Sequence, residues 1–103
     1  MKSLAIMTNF EMVVALRMSG FEGHYCKGEE ELRDVFNSAL SNPEVGMILI
    51  SEADFNIISE EVLAAKSKKR GPLIVTIPGR EGFKDKNFIM KYVKEAVGIK
   101  LDR

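Results

Sequence analysis

Two largely apolar runs, VGMILIS at 45–51, apolar up to its final Ser51, and PLIVTI at 72–77, broken only by Thr76, set the narrowest limits on what this chain can become. A strand with one wet face alternates apolar and polar residues, whereas a run without polar intervals reads as a strand covered on both faces. Each run is preceded by a helical pattern. Before the first, Leu32, Val35, Phe36, Ala39 and Leu40 fall at i, i+3, i+4, i+7 and i+8 and share one helix face. Glu29, Glu30 and Glu31 stand in that helix's first turn, where the aligned peptide dipoles favour anions, and Asn42-Pro43 ends it. Strands separated by helices do not pair as tight hairpins. They lie parallel, joined by right-handed crossovers.

The rest of the chain repeats the alternation. Ser3–Met7 is a short apolar strand, and Thr8-Asn9-Phe10-Glu11 matches a capping box with Thr8 as the cap. A helix is expected from about Phe10 to Ser19, with Gly20 where a left-handed C-terminal cap belongs. His24-Tyr25-Cys26 is a weak strand. A helix from about Glu52 to Lys69 has a candidate break near Ser59. Asp85 can cap a last helix through Val97, whose Phe88, Ile89, Tyr92, Val93 and Ala96 share a face. The expected fold is α/β: a four-stranded parallel sheet in the order 2-1-3-4, flanked by helices and flavodoxin- or receiver-like. Residues 1–78 form the globular domain, and 79–103 supply a loop and a C-terminal helix.

With 103 residues the chain supports one modest core. No apolar run approaches the roughly 20 residues of a membrane span, so no direct membrane insertion is expected. Glu11 interrupts the N-terminal apolar stretch and no small-residue cleavage site follows, which argues against a signal peptide. Cys26 is the single cysteine, which excludes an internal disulfide and fits a cytoplasmic location. The net charge of zero conceals a division. Residues 1–65 hold 11 acidic and 4 basic residues, and residues 66–103 hold 4 acidic and 11 basic. An acidic body with a basic end can meet different partners at each, although segregated solvated charges read the same way.

Doubly wound sheets place their chemistry at the carboxyl ends of the strands. Here those ends are Thr8-Asn9, Lys27-Gly28, Ser51-Glu52 and the loop Ile77-Pro78-Gly79-Arg80-Glu81-Gly82. A phosphate cradle needs G-x-x-x-x-G-K-[ST] or G-x-G-x-x-G running into a helix, and IPGREG has neither spacing. Pro78 also lacks an amide donor, so the loop reads as a turn. A phospho-accepting receiver needs carboxylates at strands 1 and 3 and a lysine from the last strand. Strand 1 offers none before Glu11, strand 3 offers Glu52 alone, and no fifth strand follows. His24 beside Cys26 is a conceivable nucleophilic pair, but a buried small cysteine is commoner. One histidine and one cysteine exclude a His- or Cys-rich metal site. Lys66, Lys68, Lys69 and Arg70 lack interleaved aromatics and read as a solvated helix C-terminus, with no nucleic acid implied. The residues point to no enzyme and no cofactor.

LRMSGF at 16–21, GMILISE at 46–52, LIVTIPGREG at 73–82 and AVGIKL at 96–101 together resemble the small F subunit of V-type and A-type rotary ATPases. The resemblance extends over nearly the whole chain, and IPGREG with AVGIKL is its most specific part. One departure is Thr8-Asn9, where the family commonly has Gly-Asp at the end of strand 1.

The resemblance implies a four-stranded parallel α/β domain with a C-terminal helical segment, and a mechanical rather than a catalytic role. It places such a chain on the central rotor stalk, peripheral to the membrane on the cytoplasmic side. There it grips the coiled-coil axle, the D subunit, beneath the A and B subunits of the catalytic head, and helps couple ATP turnover to proton or sodium transport. The stripe of Phe88, Ile89, Tyr92, Val93 and Ala96 would then dock along a partner helix, with Lys86, Lys91 and Lys94 steering and Arg80 and Glu81 at the rim. The alternative is a degenerate receiver-like or nucleotide-sensing domain that binds a ligand near Thr8, Asn9, Ser51 and Glu52.

Overall fold

The computed structural model describes residues 2–68 and 71–78. The chain runs β1 (Lys2–Met7), α1 (Phe10–Met18), β2 (Glu22–Tyr25), α2 (Glu29–Ser41), β3 (Val45–Ser51), α3 (Glu52–Ile57), α4 (Ser59–Lys66) and β4 (Leu73–Ile77). All pairings are parallel and the strand order is β2-β1-β3-β4, as expected from the alternation. The expected final helix, from Asp85 to Val97, lies outside the described residues, as do Lys69 and Arg70.

Strand alternation divides the interior into two layers. Ile6, Ile48, Ile50 and Ile74 point to one face, where they pack with Leu32, Phe36 and Ala39 of α2, Val62 of α4 and the intervening Ile58. Ala5, Met7, Leu49, Val75 and Ile77 point to the other, with Met12, Val13 and Leu16 of α1. Both layers contain fully buried residues, which explains why β3 is apolar up to Ser51 and why Thr76 is the one polar residue within β4. Each fully buried Leu, Ile or Phe contributes about 1.5–3 kcal/mol, more than an exposed ion pair supplies.

Several boundaries differ from expectation for local reasons. Asn9, not Thr8, caps α1: its Oδ1 accepts from Met12 N–H at 3.1 Å, and the Thr8 side chain turns elsewhere. Strand β2 begins at Glu22 rather than His24, and its pairing with β1 covers Glu22–Tyr25. The helix expected over 52–69 breaks at Ile58 (φ −116°, ψ 37°), one residue before the candidate position. Ile58 is fully buried there, in the core layer shared with α2.

At the end of α1, Gly20 adopts φ +98°, which costs a residue with a Cβ but not glycine. Its N–H donates to Arg17 C=O, and Phe21 N–H donates to Leu16 C=O at 3.0 Å, the paired bonds of a Schellman motif. Phe21 then packs back on the layer that contains Leu16. Gly23, in β2, is required for a different reason. A Cβ there would lie 2.9 Å from Cγ1 of Val13, a short and stiff side chain that is itself fully buried. We expect Gly23→Ala to destabilise the fold by about 1–3 kcal/mol through overpacking. Combining it with Val13→Ala should recover part of that loss in urea unfolding. Equal stability of the two variants would show that the contact is not what excludes a side chain.

Candidate functional site

The carboxyl ends of β1 and β3 are adjacent in the sheet, and the side chains there close on one another. Ser51 ends β3 and caps α3, its Oγ accepting from Asp54 N–H at 3.1 Å. That cap turns Asp54 inward, fully buried, towards the end of β1. Thr8 meets it twice: its backbone N–H donates to Asp54 Oδ2 at 2.9 Å, and its hydroxyl donates to Asp54 Oδ1 at 2.5 Å. A buried carboxylate is costly unless such donors surround it, and charge-assisted bonds are the strong kind. The strand ends therefore hold an internal clamp.

The clamp corrects the expectation that Glu52 is the lone carboxylate at the end of strand 3. Glu52 is exposed, and the inward carboxylate is Asp54. A signal for it exists in the sequence: Ser51-Glu52-Ala53-Asp54 has the spacing of an N-terminal capping pair. Of the four residues suggested for a ligand, Thr8 and Ser51 belong to the clamp, Asn9 caps α1 and Glu52 faces solvent.

Cys26 follows β2 and is wholly buried, beside Leu32 and Phe36 of α2. Burial first, and then the carboxylates of Glu31 and Asp54, push its thiol up from 9.0 to about 11. The thiolate needed for nucleophilic attack is thus disfavoured at neutral pH. His24 is on exposed strand β2. Because the folded chain holds the thiol proton to higher pH than the unfolded chain, this group's contribution to stability is complete below about pH 9. It is lost as pH rises through about 11. We expect wild type to lose stability over that interval relative to Cys26→Ala, read as urea midpoints at pH 7, 9 and 11. Native Cys26 should resist iodoacetamide at pH 8 and react on unfolding. Rapid alkylation of the folded protein would refute the assignment.

Across the other face, Arg33 ties α2 to the α3–α4 pair. Its guanidinium bonds Glu61 at 2.8 Å, Glu29 at 2.6 Å and Ile57 C=O at 3.2 Å. The Arg33 hydrogen bond, first among the causes, holds the Glu61 carboxyl below its ordinary range. Lys66 ends α4 with its ammonium 5.7 Å from the Phe55 ring centre. That local packing accords with the reading of the lysine run as a helix end. Phe10 and Tyr25 form an exposed edge-to-face pair, with ring centres 5.4 Å apart, where β1 leads into α1 and β2 ends. None of the described helices is long and apolar enough to cross a membrane.

The residues suggested for partner binding, Arg80, Glu81, Lys86, Phe88, Ile89, Lys91, Tyr92, Val93, Lys94 and Ala96, all lie outside the described residues. The matches to known proteins extend over that region as well as the body. The family model described as "ATP synthase (F/14-kDa) subunit" matches residues 4–95, which takes in most of β1, the other three strands and the IPGREG loop. The chain belongs to the ATP synthase (F/14-kDa) subunit family. Its similarity to the F subunit of the A-type ATP synthase of Methanococcoides burtonii is 29% identity over 98 residues, covering 95% of this chain and 96% of that protein. To the F subunit of the A-type ATP synthase of Methanothrix thermoacetophila it is 23% identity over 99 residues, covering 95% and 96%. The resemblance seen in the sequence to the F subunit of V/A-type ATPases is thereby established, and membership makes the chain a subunit of an ATPase complex.

Proposed function

We propose that this chain is a non-catalytic subunit of the central rotor stalk of a V/A-type ATPase. In this reading it binds the coiled-coil axle, the D subunit, beneath the A and B subunits of the head, and helps couple ATP hydrolysis or synthesis to proton or sodium transport. As part of that complex the chain then lies peripheral to the membrane, on its cytoplasmic side. The observation that carries the proposal is the family match, continuous from β1 through the loop after β4 to residue 95. The clamp at the strand ends supports it. In this architecture a ligand would sit there, and here Thr8, Ser51 and Asp54 are bonded to one another.

The basic segment after Pro78 is the proposed grip. Its apolar stripe would lie on the axle helices while Lys86, Lys91 and Lys94 set register against acidic groups. The test is co-expression of the full chain with the axle protein of its own complex, followed by size-exclusion chromatography with light scattering. A one-to-one complex is expected. Folded chain that elutes apart from folded axle would overturn the proposal. The nucleotide-sensing alternative would then regain ground, and amide shifts confined to Thr8, Asn9, Ser51 and Glu52 on adding ATP would establish it.

A further inference from the structure

A shallow groove of about 350 Å³ runs between α2 and the edge strand β2. Its floor is apolar, formed by Leu4, Val35, Ala39 and Val45 at the margin of the larger core layer. Glu22 from β2 and Asp34 from α2 line its sides. Asp34 also borders a second depression at the start of α2, lined by Lys27 as well as Glu29, Glu30 and Glu31, and Glu30 lies one turn earlier on the same helix face. The other two first-turn acids are engaged: Glu29 pairs with Arg33, and Glu31 accepts from Lys27 N–H at 2.7 Å. Among the described residues, Glu22, Glu30 and Asp34 have no such partner. Like charges at i and i+4 weaken a helix; Glu30 and Asp34 hold that spacing, and Asp34 stands beside the apolar floor while Glu30 borders the adjoining depression.

We propose that this groove seats a lysine- or arginine-bearing helix of another subunit of the rotary assembly. The proposal rests on the stalk reading above and adds a second contact, on the acidic body. The chemistry of the occupant follows from the groove. An apolar floor with acidic sides suits side chains that bury an aliphatic stem and hold a cation at the rim. Glu30 and Asp34, spaced by one turn, match cations spaced by one turn on a facing helix.

Geometry favours a helix over an added strand. Cys26 N–H donates to Met7 C=O, so residues 22, 24 and 26 face β1 and residues 23 and 25 present their backbone outward. The outward carbonyl of Gly23 already accepts two bonds from Arg17, at 2.8 and 3.2 Å. A strand pairing with β2 would have to displace that guanidinium, whereas a helix in the groove leaves it in place.

Exposed Ser38 lines the groove, and buried Cys26 leaves an introduced thiol as the reactive one. Full-length Ser38→Cys, carrying a short photo-crosslinker, is assembled with the axle and head proteins and irradiated. The expected product is a crosslink to a basic helical segment of another subunit. In parallel, Glu30→Lys/Asp34→Lys, with Glu30→Gln/Asp34→Asn as the milder pair, should bind that partner about tenfold more weakly and lose much of its salt dependence. Both pairs should keep the wild-type unfolding midpoint within a few degrees.

A crosslink to residues 79–103 of the same chain would overturn the proposal in favour of an internal occupant. A probe that stays water-exposed in the assembled complex, with affinity unchanged in both pairs, would remove the groove while leaving the stalk reading intact. Failure of the wild-type chain to enter the assembly would remove both.

Discussion

Asp54→Ala is expected to lower the thermal midpoint by roughly 15 °C, the largest stability effect of any polar substitution in the described fold. Its carboxylate is fully buried and accepts both the N–H and the hydroxyl of Thr8. Hydrogen bonds to a charged group contribute about 1.5–3 kcal/mol each, and removing the acceptor strands two donors. A net loss of about 3 kcal/mol follows, and for a domain of this size each kcal/mol shifts the midpoint by about 4–8 °C.

Asp54→Asn should cost less than Asp54→Ala but remain clearly destabilising. The amide offers one acceptor oxygen where Thr8 supplies two donors. Thr8→Val, which keeps the backbone bond and removes the hydroxyl, should cost about 1–2 kcal/mol. In the double variant Thr8→Val/Asp54→Ala the two losses should not add, and the coupling measures the clamp directly. A shift under about 3 °C for Asp54→Ala would show that the clamp contributes little. The consequence reaches beyond stability, because the clamp joins the β1–α1 turn to the β3–α3 turn and so sets the shape of the sheet's carboxyl edge.

Deleting residues 83–103 is expected to abolish the one-to-one complex with the axle protein, a loss of at least about 100-fold in affinity. The segment carries the apolar stripe and most of the basic charge of the chain's second part. Truncating well-packed apolar anchors at an interface costs about 2 kcal/mol or more each, so losing several together exceeds what rim charges can offset. The groove along α2, if it seats a second helix, would retain weak residual binding, because two linked contacts exceed either one alone. Circular dichroism must show the truncated body folded. Lys86→Glu/Lys91→Glu/Lys94→Glu in the full chain asks the same question without removing the stripe, and should slow association most at low salt. Undiminished binding by the truncated protein would move the grip onto the globular body.

The parts of this protein legible from residues alone are those governed by short-range periodicity. β3 and β4 are readable because both faces are covered, and α2 because Leu32, Phe36 and Ala39 recur with the helical repeat and are buried. Gly20 is readable because few other residues adopt its backbone angle. Parallel pairing and the order β2-β1-β3-β4 follow from the alternation, since crossover handedness leaves few topologies. The family itself is legible in IPGREG and its neighbours, and the match over residues 4–95 bears that out.

The site is less legible. Thr8 fits a local capping pattern with Glu11, and that reading fails because a better partner lies 46 residues away. The Ser51-x-x-Asp54 spacing marks a helix start, but it does not say whether the Asp54 carboxylate meets water or another strand. A helix cap is a contest among neighbours in the chain. A buried carboxylate is settled by whichever strand the sheet sets beside it. Residue order was thus enough for the alternating elements, their apolar faces, the glycine turn after α1 and the kinship of the chain. It took the folded arrangement to show that Asn9 caps α1, that Asp54 locks Thr8, and that α2 leaves an acidic groove against β2. The last two depend on β1 lying between β2 and β3, because the energy of a buried polar contact is set by spatial neighbours and not by chain spacing.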